Sequence, residues 1–302
     1  MPRVRTWPSS ATPGFLGAVA FKAGMTHVAM VDDSESPSKG TEVSRAVTVV
    51  EMPKVYIYGI RFYAKKYLYT QPATEAYDAA LAKRVGINKA GKGISDLKQK
   101  LSEFSDVSAL AFADPSNLGF GNKRLMRLEL HVGGKDAADK MAFIEKFLGK
   151  EIRLADVAGA GDYIDVISIS KGKGWAGVIK RFGVAKQGRK NTNKVRHLGV
   201  LGPWHPSKVM FTVPHSGHMG YNYRTEYNKR ILRIGTEKDA ASINVKGGFM
   251  NYGVVKNDFM VLDGSIPGPS KRMLRFRKAL RVTAAKKEPQ INYVSLASKQ
   301  GA

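Results

Sequence analysis

Residues 171–233 carry 14 Lys and Arg but a single carboxylate, Glu226. General acid–base catalysis commonly uses paired carboxylates or a His–Asp couple, and this stretch can assemble neither. Glu226, flanked by Arg224 and Lys229, reads as half of a structural salt bridge, and the acidic residues of positions 1–170 read as solvated surface. Gly172-Lys173-Gly174-Trp175-Ala176-Gly177 is a formal G-x-G-x-x-G. A dinucleotide site would also need a helix after it and an acidic residue about 20 positions on. Val178–Phe182 (VIKRF) reads as a strand instead, and no Asp or Glu lies between Asp165 and Glu226. The glycines are therefore read as letting the backbone approach a phosphate-rich surface, with Lys171, Lys173 and Lys180 supplying charge. His205, His215 and His218, with His197 nearby, lack the local carboxylate or thiolate that helps to hold a metal, so phosphate or base contact is their expected role. No metal and no cofactor is expected.

What remains in this stretch is basic side chains interleaved with flat ones: Trp175, Phe182, Trp204, Phe211, Tyr221, Tyr223 and Tyr227. Lys and Arg contact phosphates without reading sequence, while aromatic faces stack on unpaired bases at ~1–3 kcal/mol each. Phe211 and Tyr227 sit in strand-like segments and are expected in a β core. Trp204, in Pro203-Trp204-His205-Pro206, is expected at the tip of a polar loop. The whole chain of 302 residues has 49 Lys and Arg against 25 Asp and Glu, net +24. Residues 1–170 hold only +4 of that and residues 171–233 hold +13. Like charge concentrated this way opposes folding, so an external polyanion must neutralise it. No cysteine is present, which excludes disulfides, thiolate metal sites and cysteine nucleophiles. Neither a secretory signal nor a membrane span is read, and a soluble, intracellular protein is expected.

The elements that position these residues are mainly strands. Residues 1–13 form a polar, proline-containing tail, expected to order only on a partner. Phe15–Val31 reads as a strand pair turning near Ala23-Gly24, Asp32–Gly40 as a loop, and Ala46–Met52 and Val55–Tyr63 as strands separated by Pro53. From about 70 to 156 the pattern becomes α/β, with helical spacing at Thr74–Arg84, Ser95–Phe104 and Asp136–Leu148 and a strand at Leu128–Val132. Strands resume at Asp162–Ser170, then at Ile231–Ile234, Phe249–Val255 and Phe259–Leu262. Between them lie about 60 residues without periodicity, which in a compact domain signals a functional or partner-ordered excursion. Such a hairpin-like excursion would project beyond the body. The last basic cluster is Lys271–Arg281 (KRMLRFRKALR).

Four long segments carry a family resemblance: FLGAVAFKAGMTH (Phe15–His27), YIDVISISKGKGWAGVIKRF (Tyr163–Phe182), WHPSKVMFTVPHSGHMGYNYRTEYNKRILRIG (Trp204–Gly235) and GGFMNYGVVKNDFMVLDGSIPGPSKRMLRFRKAL (Gly247–Leu280). They resemble the universal large-subunit ribosomal protein number three, in its archaeal and eukaryotic branch, over about Phe15 to Arg281. The resemblance implies a fold that is mainly β with an α/β insertion, a translation-protein-type β-barrel carrying a long extended basic arm. The expected division is a tail at 1–13, a discontinuous barrel at 14–70 and 157–302, an insertion at 71–156, and an arm at 171–235. It also implies an arm that penetrates the ribosomal RNA toward the peptidyl-transferase centre, with Trp204 at the position of the family's inward-reaching tryptophan. Eukaryotic members carry a histidine twelve residues before that tryptophan, where this chain has Thr192, and the chain lacks their basic C-terminal extension. The first departure counts against a histidine modification there, and the second favours an archaeal source.

The expectation is a structural, non-catalytic constituent of the large ribosomal subunit, cytoplasmic, with ribosomal RNA and neighbouring ribosomal proteins as partners and no membrane or small-molecule substrate. Expected RNA contacts are Lys171, Lys173, Trp175, Lys180, Arg181, Lys186, Arg189, Lys190, Lys194, Arg196, Trp204, His205, Lys208, His215, His218, Tyr221, Tyr223, Arg224, Lys229 and Arg230. Lys271, Arg272, Arg275 and Arg277 are expected to hold the barrel to RNA at the surface. Two rivals stay open. An RNA-modifying enzyme would need Glu226 as its acid or base, and a free DNA- or chromatin-binding protein would elute with chromatin rather than sediment with the large subunit.

Overall fold

The computed structural model describes every residue except 67–68, 88–96, 192–193, 283–285, 299 and 301–302, and every side chain except also those of 65–66, 69–73, 79, 82 and 102. A two-residue strand, β1 (Gly14–Phe15), leads into β2 (Gly17–Val31), which is one continuous strand and not the expected pair with a turn at Ala23-Gly24. β3 (Glu42–Glu51) pairs along it, with a register shift between Lys22 and Gly24. Gly24 is required there by space, because a Cβ would lie 2.6 Å from the Phe249 ring. The glycine thus marks a bulge that bends the strand without reversing it.

β2 and β3 belong to a closed ring with β9 (Tyr163–Ile169), β12 (Tyr223–Gly235), β13 (Phe259–Asp263) and β14 (Met273–Lys278). The pairing order is β14-β9-β12-β13-β3-β2, and β14 pairs back onto β2, while β15 (Ile291–Val294) adds to the far half of β2. Closure leaves no open edge around the ring. A second sheet runs β1-β7-β6-β4-β5, built from β4 (Lys54–Lys66), β5 (Tyr69–Tyr77), β6 (Asp106–Asp114) and β7 (Met126–Gly133), with β8 (Glu151–Ile152) on β4. β4, expected from sequence to belong to the barrel, pairs with β5, β6 and β8 in this second sheet. The two sheets share one core. Val19, Ile164 and Phe276 of the ring cluster with Ile57, Leu128 and Leu130 of the second sheet.

Two helices flank that sheet, α1 (Ala79–Arg84) and α2 (Ala137–Phe147). α2 matches its periodicity, burying Met141 and Ile144, and Phe143 and Phe147 set their rings edge-on to Phe15 at 5.0 and 5.1 Å. The expected helix at Thr74–Arg84 starts late, because residues 74–77 pair with β4 and the Asp78 carboxylate caps the amides of Ala80 and Leu81. The helix expected at Ser95–Phe104 begins outside the described residues, and its last part is a 3-10 turn at Leu101–Glu103. Phe249–Val255 is not a strand. Positive φ at Asn251 and Gly253 turns it into a tight loop that still buries Phe249, Tyr252 and Val255.

A fully buried carboxylate, Glu51, holds that loop. It accepts hydrogen bonds from the Tyr252 hydroxyl at 2.5 Å, from the amides of Lys256 and Asn257 at 2.9 and 2.8 Å, and from the Asn257 side chain at 2.8 Å. Burial and the neighbouring Glu51 push the Tyr252 hydroxyl well above its usual range, keeping it a donor. The loop Asp32–Gly40 is organised alike: hydroxyls of Ser34, Ser36 and Ser38 donate to Asp32 and hold its carboxyl below the usual carboxylate range.

The N-terminal tail is ordered on the protein itself. Trp7 packs on His131 at 4.9 Å, Arg275 lies 5.6 Å from the Trp7 ring centre, and the Ser10 carbonyl accepts the Gly134 amide at 2.9 Å. The chain divides into a body, residues 1–168 and 225–302, and a second unit, residues 169–224. Among the described residues no helix is long and apolar enough to cross a membrane.

Glu51→Ala should destabilise the protein by about 3 kcal/mol, because four buried donors lose a charged acceptor; chemical denaturation measures this. Burial holds His131 below its ordinary value of 6.5. Its contribution is therefore intact above about pH 6.5 and declines as the pH falls toward the lower folded-state value, where protonation favours the unfolded chain. The thermal midpoint between pH 6.5 and 5 should fall more steeply in the wild type than in His131→Gln.

Candidate nucleic-acid interface

The second unit holds eleven Lys and Arg, four His and no carboxylate in 56 residues. Among its described residues only Ala176 and Gly217 are buried, so it has no apolar interior. Its regular structure is an antiparallel pair, β10 (Gly172–Ala176) with β11 (Gly217–Gly220), and the helix α3 (Val178–Phe182). Trp175 stands opposite His218 in the pair, with 75% of its surface exposed. Gly220 allows the two strands to meet, since a Cβ there would sit 2.1 Å from the Lys171 carbonyl oxygen. At Gly174 and Gly177, by contrast, a Cβ would meet nothing within 4 Å, so no neighbour's bulk requires glycine at either position.

VIKRF is helical, which corrects the strand expected there. Gly177 precedes it in extended conformation, and Gly183 at φ 72° ends it, the left-handed stop that glycine supplies. This still makes no dinucleotide motif, because the first two glycines lie within a paired strand and no acidic residue follows before Glu226. Arg181 acts as an internal strut. It donates to the His215 carbonyl at 2.9 Å and its guanidinium fills the space beside Gly217, where a Cβ would lie 2.7 Å from Nη1. Lys171, Lys173, Lys180, Lys186, Arg189, Lys190, Lys194, Arg196, Lys208 and Arg224 all have exposed side chains.

Residues 199–212 are exposed throughout. Trp204 is 88% exposed, with His205 exposed beside it, and Phe211, expected in a core, is 99% exposed. The reason is topological: residue 211 lies in a turn with no sheet beneath it. Val200, Leu201, Val209 and Met210, to which sequence assigns no role, share this surface. Their only signal in sequence is apolar character without periodicity. His197, His205, His215 and His218 form no metal-binding cluster among the described residues. His215, His218, Tyr221 and Tyr223 are likewise exposed, and Thr192 lies outside the described residues.

In the body, the basic residues divide. Lys229 meets Glu226 at 3.8 Å, the salt bridge expected for that carboxylate. Tyr227, expected in the core, is half exposed, with Arg281 and Arg277 at 5.4 and 6.0 Å from its ring centre. Arg230 grips both oxygens of Asp33, which holds that carboxyl below its usual range, and also donates to the Lys287 carbonyl. Arg275 and Arg277 are not surface anchors. Both are buried: Arg275 donates to the Glu129 carbonyl, and Arg277 pairs with the fully buried Asp165 at 3.1 Å and reaches the Thr6 carbonyl. Both faces of β14 are covered: Leu274 and Phe276 join the apolar core on one, and on the other Arg275 and Arg277 meet the Glu129 carbonyl, the N-terminal tail and the Asp165 carboxylate. Lys271 is exposed and Arg272 half-buried at the approach to β14.

The sequence profile of the family described as Ribosomal protein L3 matches residues 1–301. The chain is 40% identical to the large ribosomal subunit protein uL3 of Methanothermobacter thermautotrophicus, over 99% of this chain and 93% of that protein. It is 40% identical to the protein of the same name from Methanothrix thermoacetophila, over 100% of this chain and 93% of that one. It is 41% identical to that of Methanoregula boonei, again over 100% and 93%. With the profile spanning nearly every residue, the chain belongs to the ribosomal protein L3 family, whose members are structural proteins rather than enzymes.

Proposed function

We propose that this protein is a structural constituent of the large ribosomal subunit that binds ribosomal RNA through residues 169–224, acting in the cytoplasm beside neighbouring subunit proteins. The observation that carries the reading is the second unit itself: eleven cations, no anion, and large aromatic rings in solvent. Such a segment lacks the burial that offsets the ordering of its backbone. Phosphates placed among its lysines and arginines replace diffuse counterions and remove the self-repulsion. Exposed rings at Trp175, Trp204, Tyr221 and Tyr223 offer faces for unpaired bases.

In this reading residues 171–235 form an arm directed into the RNA toward the peptidyl-transferase centre, and Trp204 with His205 buttresses RNA there without performing chemistry. Family relatives that are large-subunit proteins, and the 88% exposure of Trp204, support that direction. Lys271 and Arg272 remain as the contacts of the β14 approach.

Trypsin provides the test. In the free protein, cleavage should occur after Lys186, Arg189, Lys190, Lys194 or Arg196, and large-subunit RNA should suppress it where duplex DNA at the same salt does not. Resistance without RNA, or equal protection by DNA, would overturn the proposal. Salt provides a second measure. The slope of log affinity against log salt should flatten by about 0.7–0.9 for each phosphate that is no longer neutralised. Replacing Lys186, Arg189, Lys190 and Lys194 together should thus lower it by about 3, and an unchanged slope would remove these residues from the interface.

A further inference from the structure

A cleft of about 610 Å³ lies wholly within the body, floored by β12 from Tyr227 to Arg230 and walled by the loop at Asp33 and the end of β13 at Asp263. Its volume is that of a small-molecule site. Its charges are unequal in their commitments. Both oxygens of Asp33 are held by Arg230 at 2.8 and 2.5 Å, and Asp263 accepts from Arg45 at 3.1 Å. The cations are held more loosely. Lys229 reaches Glu226 only at 3.8 Å, and among the described residues the Lys287 ammonium has no carboxylate within 4 Å, its charge acting on Asp33 from farther off. Glu35 also lines the cleft and reaches only Lys39, at 3.4 Å, so two loosely held ammonium groups stand against one loosely held carboxylate and the balance is positive.

Two aromatic rings, Tyr163 and Tyr227, line the same space. The guanidiniums of Arg281 and Arg277 fix the Tyr227 ring, yet the residue keeps 47% of its surface exposed. The carboxylates of Asp33 and Asp263, though paired, retain lone pairs for further donors. A bare phosphate would engage the lysines and leave the rings unused; an apolar ligand would cover the ion pairs and gain nothing from them. Ammonium groups for a phosphate, a flat ring for a base and carboxylate oxygens for ribose hydroxyls together match one chemical class.

We propose that this cleft binds a single unpaired nucleotide extruded from the ribosomal RNA, a contact separate from those of residues 169–224. The inference rests on the RNA-binding reading above, and the experiment separates the two. The full-length protein is bound to large-subunit RNA and the RNA is probed by 2′-hydroxyl acylation, for the wild type, Lys287→Glu and Tyr227→Leu. Lys287 is exposed, so its reversal leaves the fold intact, and Tyr227→Leu keeps apolar bulk while removing the ring. One unpaired nucleotide protected by the wild type should become about fivefold or more reactive with both variants, while the remaining protections persist. If no nucleotide responds to both variants although the wild type protects the RNA, the cleft proposal fails alone. Protection of the cleft only when other subunit proteins are added, pointing to a protein side chain as occupant, overturns it too. If the wild type protects no RNA, both readings fall.

Discussion

Electrostatic self-repulsion without an interior governs residues 169–224. Eleven cations stand with no carboxylate among them, and two buried small residues are all the core the described part of this unit has. Elsewhere in the chain the remaining 38 basic residues are set against all 25 acidic ones, and there the protein builds an ordinary packed body. A segment that cannot neutralise its own charge or bury its own rings depends on an outside polyanion for both. The closed ring of strands is best understood as the rigid frame from which β9 leads into that segment and β12 returns.

The body solves the same problem with paired counter-charges, buried at Arg277 and partly exposed elsewhere. Arg277 lies against Asp165, Arg230 against Asp33, and Arg61 between Glu75 and Glu129, so these cations join strands and loops rather than reach for a ligand. Glu51 plays the complementary part, a carboxylate whose partners are hydroxyl, amide and backbone donors. At Glu51 and at Arg277–Asp165, removing one member leaves the others buried and unsatisfied, which makes these two networks specific as well as stabilising. Arg275 and Trp7 extend the principle to the N-terminal tail, which is seated on the body by a ring and a guanidinium.

Much of the frame was legible in advance. Alternation of β-branched residues placed β3, β7, β9 and β13 to within a residue or two at most ends, and period 3.6 placed α2. Misreadings came where local pattern competes with tertiary space. Ala23-Gly24 looked like a turn but is a bulge made for the Phe249 ring, and VIKRF looked like a strand until glycines at both ends allowed a helical turn. Phe249–Val255 has strand composition, yet its loop is held by a carboxylate about 200 positions earlier in the chain, at Glu51.

By itself the sequence determined the family, the β character and the location of the unneutralised charge, because all three are sums over many residues and survive single misreadings. Only the tertiary structure decided which individual cations are available. KRMLRFRKALR reads as one basic cluster, but Arg275 and Arg277 are buried on the face of β14 opposite Leu274 and Phe276, while Lys271 remains exposed. Which face of a strand is covered, and whether an acceptor lies there, depends on neighbours more than a hundred residues away, the Asp165 carboxylate for Arg277 and the Glu129 carbonyl for Arg275. The physical reason is that burial and pairing are properties of three-dimensional proximity, and no local window of sequence contains them.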